Sequence, residues 1–164
     1  MKGLYESILD DEDILIDDVK KSSNDFNVIQ YLCKEGEFDK LIKMCNDGFL
    51  DKFIKDILYI NPKELRIDGR FRYGFYVVKY FISYNEKLVL LEINYSLGDN
   101  KLYISIPDND RITNFQHTER LDNQLKDQLN NMYNKRNKIT RSIKKLGFTK
   151  SKTQFPYMEF FEKN

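Results

Sequence analysis

The clearest pattern along the chain is an alternation of apolar and polar residues in its middle part. Three segments rich in aromatic and β-branched residues, Phe71–Tyr84, Lys87–Ser96 and Lys101–Ile106, are separated by Asn85-Glu86 and by Gly98-Asp99. A period of two is typical of strands with one buried face, and a two-residue loop that begins with Gly is typical of a type II′ turn. The pattern therefore predicts a three-stranded antiparallel meander.

The two predicted turns also fix the register of the strands. With Asn85-Glu86 as a loop, the facing pairs of the first two strands are Tyr76–Tyr95, Val78–Ile93, Tyr80–Leu91 and Ile82–Val89. With Gly98-Asp99 as the next loop, the facing pairs are Tyr95–Leu102, Ile93–Ile104 and Leu91–Ile106. Every pair is apolar or aromatic, so one face of the meander should be apolar throughout. On the other face, Lys79 should lie opposite Glu92.

Before the meander, apolar residues recur at helical spacing from Asp25 to about residue 57. Gly36 and Gly48 are suitable helix ends, so this segment predicts two or three short helices. The run Ser22-Ser23-Asn24 indicates a break and a helix cap in front of them. Asn61-Pro62 should end the helical region.

After the meander, an apolar stripe predicts one long helix, capped by Thr118 and ending at Gly147. The stripe consists of Leu121, Leu125, Leu129, Met132, Ile139, Ile143 and Leu146. A helix of this length would span on the order of 40 Å and should pack across the apolar face of the sheet. A short fourth strand is predicted near Arg111–Gln116. The tail after Lys150 is expected to add an edge strand or to bind a partner.

These elements together predict an α+β fold. It should consist of short N-terminal helices, a three- to four-stranded antiparallel meander and a long C-terminal helix packed across the sheet. We divide the chain into an acidic amphipathic leader (1–21), a helical subdomain (22–60) and a part that contains the sheet, the long helix and the aromatic tail (61–164). The last two parts are expected to form one compact domain.

The composition is that of a globular domain, since hydrophobic residues make up 41% of the 164 residues and charged residues 32%. No apolar run reaches the roughly 18 residues that a membrane-spanning helix needs. The N-terminus lacks the basic and then apolar regions of a secretory signal, so we expect a cytoplasmic protein. Alanine does not occur, while Asn, Lys, Ile, Tyr and Phe are plentiful. This bias indicates an AT-rich genome, such as that of a phage or mobile element.

Few residues are of the types that carry out catalysis. Cys33 and Cys45 have no partner at a metal-ligand spacing and are predicted to be free, buried thiols. His117 is the only histidine, with no nucleophile or orienting carboxylate indicated beside it. No phosphate-binding or dinucleotide-binding motif is present, so we predict no catalytic residue, no metal and no cofactor. As a third hypothesis, Asp68, Glu92 and Lys79 could form a divergent metal-dependent nuclease site, although the usual Glu-x-Lys is missing.

The charge is unevenly distributed along the chain. Residues 1–60 carry eight Lys/Arg and fourteen Asp/Glu, whereas residues 132–158 carry eight basic residues and no acidic one. These basic residues surround the end of the predicted helix, a pattern suited to phosphate contacts, to a solvated helix face or to an intramolecular partner of the acidic N-terminus. They are Lys135, Arg136, Lys138, Arg141, Lys144, Lys145, Lys150 and Lys152.

The opening segment, residues 1–13, reads MKGLYESILDDED, a short amphipathic start followed by acidic residues. It resembles a leader of small proteins of crAss-like bacteriophages and of related mobile elements of Bacteroidales. It is also similar to the capsid-targeting leaders of internal proteins of large tailed phages. The resemblance implies a docking face formed by Leu4, Tyr5, Ile8 and Leu9. The alternative is that residues 4–16 pack on the protein's own core.

The sequence thus predicts a non-enzymatic phage or mobile-element protein that works by binding another protein, for example a structural protein of the phage particle. Its expected location is the host cytoplasm or the virion, and its oligomeric state is left open. The predicted partner-binding residues are those four leader residues and, in the tail, Phe155, Tyr157, Phe160 and Phe161. The alternative is an accessory protein that binds nucleic acid through the basic end of the helix.

Overall fold

The computed structural model describes residues 20–82, 88–152 and 155–163, and it has an α+β architecture. The described part of the first helix, α1, covers residues 20–34. The following helices and strands are α2 (Phe38–Asn46), β1 (Leu65–Arg72), β2 (Phe75–Ile82), β3 (Val89–Ser96), β4 (Lys101–Pro107), α3 (Asn109–Thr118), α4 (Asn123–Asn134), α5 (Arg136–Lys145), β5 (Thr149–Lys150) and β6 (Met158–Lys163).

The N-terminal helices follow the predicted periodicity, with one correction. Gly36 and Gly48 follow α1 and α2 with φ angles of 74° and 96°, which only glycine adopts without strain, so the predicted helix ends are confirmed. The predicted break at residues 22–24 is wrong, because these residues lie within α1. Ser22 is buried there, and the salt bridge between Lys21 and Asp25 spans this turn.

The α- and π-helical segments end before Asn61-Pro62, as predicted. A π-helical turn, Phe53–Ile57, follows α2, and the next regular segment is the short 3₁₀ helix Pro62–Glu64. The side chain of Asn61 accepts a hydrogen bond from the backbone N–H of Lys63 at 3.1 Å and so caps the 3₁₀ helix. The chain then enters the sheet.

Among the described residues, six strands form one antiparallel sheet in the order β1-β2-β3-β4-β6-β5. In the predicted first strand, Phe71–Tyr84, the described residues 71–82 form the end of β1, a turn and β2. The chain reverses at Tyr73-Gly74, whose φ angles of 53° and 78° suit a tight hairpin of the I′ type. β1 therefore lies beside β2 at the edge of the sheet.

The predicted register of the meander is largely confirmed, although the turn between β3 and β4 spans residues 97–100 and Gly98 lacks the positive φ of the predicted type II′ loop. Tyr76, Val78 and Tyr80 pair with Tyr95, Ile93 and Leu91, and Lys79 pairs with Glu92. Tyr95 and Ile93 pair with Leu102 and Ile104. The predicted pair Ile82–Val89 is wrong, because a bulge after Tyr80 brings Phe81 opposite Val89. The Asn85-Glu86 turn lies outside the described residues.

The tail enters the sheet itself. β6 lies between β4 and β5, so it is an interior strand rather than the predicted edge strand. The strand predicted near Arg111–Gln116 is instead part of helix α3. Asp108 explains this difference, because its side chain accepts a hydrogen bond from the backbone N–H of Arg111 at 2.8 Å and caps the helix.

The single long C-terminal helix is not observed, because its sequence forms parts of three helices. Thr118, the predicted cap, is the last residue of α3, and Asp122 caps α4 instead through the N–H of Leu125 at 2.8 Å. Lys135 separates α4 from α5 with φ −101° and ψ 19°, outside the helical range. The predicted apolar stripe is buried nevertheless, so each of the shorter helices turns its apolar side to the core.

One hydrophobic core joins these elements. It includes buried residues of α1, α2, the meander, the C-terminal helices and β6, so the segments 22–60 and 61–164 share it. On the sheet, the core face is the predicted apolar face, continued into β6 by Phe161. α2 lies close against β1 because Gly69 has no side chain there, and an added Cβ would overlap Ile42. The opposite face of the sheet bears the candidate site.

Candidate functional site

The open face is the side of the sheet that points away from the core. Residues two apart on a strand share a face, so Arg66, Asp68, Arg70 and Arg72 of β1 all lie on it. We call Arg66, Arg70 and Arg72 the arginine edge. These three residues are exposed, and their alternating partners on the strand face the helices. The free edge of the sheet thus carries a row of positive charge.

A row of charged residues crosses the open face next to this edge. Asp68 pairs with Lys79, and Lys79 pairs with Glu92, so the three residues of the nuclease hypothesis lie side by side on β1, β2 and β3. Asp68 is therefore a strand residue. Its Oδ2 lies 2.8 Å from Nε of Arg70 in an exposed ion pair. In the described parts of the chain, no three His, Cys, Asp or Glu residues are grouped as metal ligands.

A cavity of about 570 Å³ lies along this part of the open face. All three residues of the arginine edge line it, together with Lys79. Apolar side chains of β2 and β3 form the rest of its surface, and Asp68 and Glu92 are the acidic groups that line it. The balance of charge around the cavity is therefore positive, which favours an anionic ligand.

Beside the arginine-lined cavity, aromatic residues form a second depression of about 410 Å³. We call it the aromatic groove, and its lining consists of Arg72, Tyr73, Phe75, Val77, Asn94, Tyr103, Ser151, Phe155 and Phe160. The rings of Phe155 and Phe160 are 5.1 Å apart between centroids. Arg72 lines both depressions, and its guanidinium carbon lies 5.3 Å from the ring centroid of Tyr73. The charged and aromatic parts of the open face are therefore continuous.

The predicted partner-binding residues have different positions. Leu4, Tyr5, Ile8 and Leu9 lie outside the described residues. In the tail, Phe155 is 56% exposed and Tyr157 is 48% exposed, and Phe160 contributes to the aromatic groove. Phe161 is fully buried and belongs to the core. The structure thus joins part of the predicted tail surface to the open face of the sheet.

The predicted basic residues do not form one surface either. Arg136 is largely buried, with its guanidinium near Glu159, and Lys135 places Nζ 4.6 Å from the ring centroid of Tyr59. Lys138 is half-buried on α5. The remaining members are exposed on α5, at its end or beyond it: Arg141, Lys144, Lys145, Lys150 and Lys152.

The arginine edge and most of the aromatic groove were missed in the sequence. The signal was present, because Leu65, Ile67 and Phe71 alternate with the polar residues 66, 68, 70 and 72, as in a strand with one polar face. Gly69 interrupts the apolar series, and the turn at Tyr73-Gly74 lacks the usual Asn or Asp. Tyr103 and Phe75 could have been assigned to the polar face from the predicted register.

The cysteines and the histidine lie away from the open face. Cys33 and Cys45 are buried free thiols, as predicted. Burial, reinforced by the neighbouring Cys45, raises the pKa of Cys33 to about 12, so this thiol stays protonated at neutral pH and is a poor nucleophile. His117 is exposed in the last turn of α3.

No family model, curated protein or solved structure matches this chain. None of the helices in the described residues is both long and apolar enough to cross a membrane.

Proposed function

We propose that this protein binds nucleic acid through the open face of its sheet. The observation that carries the proposal is the arginine edge, three exposed guanidinium groups aligned on one strand beside a groove lined with aromatic rings. Phosphate contacts need positive charge and reach, and arginine presents several donors in a planar fork. Arg70 and Arg72 are about 6.8 Å apart along the strand, so they can contact an extended chain of phosphates.

The test is a titration of labelled oligonucleotides, single- and double-stranded, at roughly 50 and 200 mM salt. We expect the wild-type protein to bind with an affinity that falls steeply with salt, because bound phosphates release counterions. In the variant R66Q/R70Q/R72Q, the slope of log K against log salt for a single strand should be smaller by about 2. Three phosphate contacts are lost, and each contributes about 0.7 to the slope. These side chains are exposed, so the fold should be kept.

The matched control removes the same charge from the surface predicted in the sequence. R141Q/K144Q/K150Q replaces three exposed basic residues on and after α5 and should leave affinity and salt slope unchanged. If this variant loses binding while the sheet variant keeps it, the interface lies on the helix and the open face is not the site. Absence of binding at the lower salt concentration would contradict a nucleic-acid function altogether.

Binding to another protein is the second candidate function, and the exposed aromatic side chains of the tail support it. Phe155 and Tyr157 are 56% and 48% exposed, and such aromatic residues often anchor protein interfaces. On this proposal the protein associates with a phage particle, as the resemblance of its leader implies. F155S/Y157S should then abolish co-sedimentation with assembled particles. The matched control Y31S changes an aromatic residue of α1 that is 61% exposed and should co-sediment normally.

A further inference from the structure

We infer that the aromatic groove holds an unpaired nucleobase, so that the nucleic acid bound to the open face is single-stranded at this point. The inference rests on the proposed function and specifies which form of nucleic acid the same face takes. It is drawn from the size of the groove, from the chemistry of its lining and from its continuity with the arginine edge.

The groove is an open depression lined by aromatic side chains from distant parts of the sequence. Val77, Asn94 and Tyr103 lie in one row across β2, β3 and β4 and contribute to its lining. Phe75 lies one step further along β2, and Phe155 and Phe160 come from the tail. A volume of about 410 Å³ is within the range of small-ligand sites. The groove is therefore large enough for a single flat ring system to lie against these side chains.

The lining matches a nucleobase more closely than a purely apolar ligand. Aromatic rings stack on the faces of bases, and one such contact is worth about one to two orders of magnitude in affinity. Asn94 is the polar side chain within the central row, and its amide can both donate to and accept from the edge of a base. The aromatic groove thus offers a stacking surface and an edge contact together.

The position of Arg72 links the base site to the phosphate contacts. Because Arg72 lines both depressions, a backbone that follows the arginine edge passes the mouth of the groove. A base can then turn inward while its phosphate stays on the guanidinium. In a duplex the faces of the bases are covered by their neighbours, so this arrangement requires an unpaired nucleotide.

The variant F75L/F155L tests the inference, since it removes two rings that are 36% and 56% exposed and keeps apolar side chains in their place. The probe is a single-stranded oligonucleotide carrying one fluorescent base analogue, titrated at about 50 mM salt. We expect the variant to bind it about 10- to 100-fold more weakly, with an unchanged salt slope. The analogue's fluorescence should be quenched by the wild-type protein and not by the variant. A blunt duplex of the same length should bind the wild-type protein more weakly than the single strand.

The matched control is F71L, which changes a phenylalanine that is 58% exposed and lies on the opposite face of the sheet. F71L should bind and quench like the wild-type protein. If F75L/F155L also behaves like the wild-type protein, or if blunt duplex binds as tightly as single strand, the groove does not hold a base, although the proposed function stands. If the wild-type protein binds no oligonucleotide at low salt, the proposed function fails and the inference fails with it.

Discussion

Replacing Phe26 by alanine should lower the free energy of unfolding by about 4 kcal/mol, a large part of the 5–15 kcal/mol that typically stabilises a domain. Phe26 on α1 is fully buried. Its ring contacts the ring of Phe53, in the π-helical turn, edge to face, with 5.0 Å between the ring centroids. It contacts the ring of Phe148, which follows α5, in the same way, with 5.3 Å between the centroids. Alanine would leave a cavity at the point where three distant segments meet, and it would remove both aromatic contacts.

Urea unfolding followed by circular dichroism measures this effect as a shift in the midpoint with little change in slope. F26L keeps most of the apolar volume and should cost less than about 1.5 kcal/mol. The matched control is Y31A on the same helix, where the side chain is 61% exposed, and its effect should stay within about 0.5 kcal/mol. Equal stability of F26A and Y31A would mean that α1 does not contribute to the core as the structure shows.

The meander was predictable because two independent local signals agree there. The alternation of residues 76–82 defines a face, and the predicted loop at Gly98-Asp99 aligns Tyr95 and Ile93 with Leu102 and Ile104, as observed. A bulge adds one residue to a strand without a distinct sequence signal, which explains why the pairing of Val89 was missed.

The C-terminal half was less predictable because its structure depends on long-range contacts and capping. A stripe of apolar residues at helical spacing does not show where a helix stops, and Asp108 and Asp122 became visible as caps only in the structure. β6 pairs with β4, more than fifty residues away along the chain, and local patterns carry no information about such a pairing. The tail was therefore predicted to add an edge strand or to bind a partner, and not to form an interior strand.

The position of the candidate site could not be predicted from local sequence patterns either. The count of basic residues predicted an interaction surface at the helix end. There, however, Arg136 contacts Glu159 and Asn109 within the protein. The arginine edge is less dense in sequence, because residues of the opposite face of β1 alternate with it and Asp68 lies between Arg66 and Arg70. Its concentration on one surface is a consequence of strand geometry and not of composition.

Arg136 is the second residue whose replacement should have a large effect on stability. It is the first residue of α5, and its Nη2 donates to the carbonyl oxygen of Pro107 at the end of β4. Its Nε donates to Oδ1 of Asn109 at 3.2 Å, and its Nη1 lies 3.6 Å from Oε1 of Glu159, an ion pair without a hydrogen bond. Burial lowers the pKa of Arg136, while Glu159 and Asp108 favour its charged form. One guanidinium thus joins α3, α5, β4 and β6.

We expect R136M to lower the free energy of unfolding by about 3 kcal/mol. Methionine fills much of the same space, but the largely buried carboxylate of Glu159 loses its ion pair and two oxygen acceptors lose their donor. R136K keeps the charge but cannot reproduce the planar fork, so it should lie between R136M and the wild-type protein. R141M, at an exposed position on the same helix, is the matched control and should stay within about 0.5 kcal/mol.

The double variant R136M/E159Q separates the cost of an unpaired charge from the value of the network itself. If most of the loss in R136M comes from the isolated carboxylate, removing that charge should recover more than half of the loss. If R136M is as stable as the wild-type protein, the cost of burying the guanidinium offsets all its contacts, and the junction of α3, α5, β4 and β6 is held by apolar packing alone. In that case the double variant should show no further change in the urea midpoint.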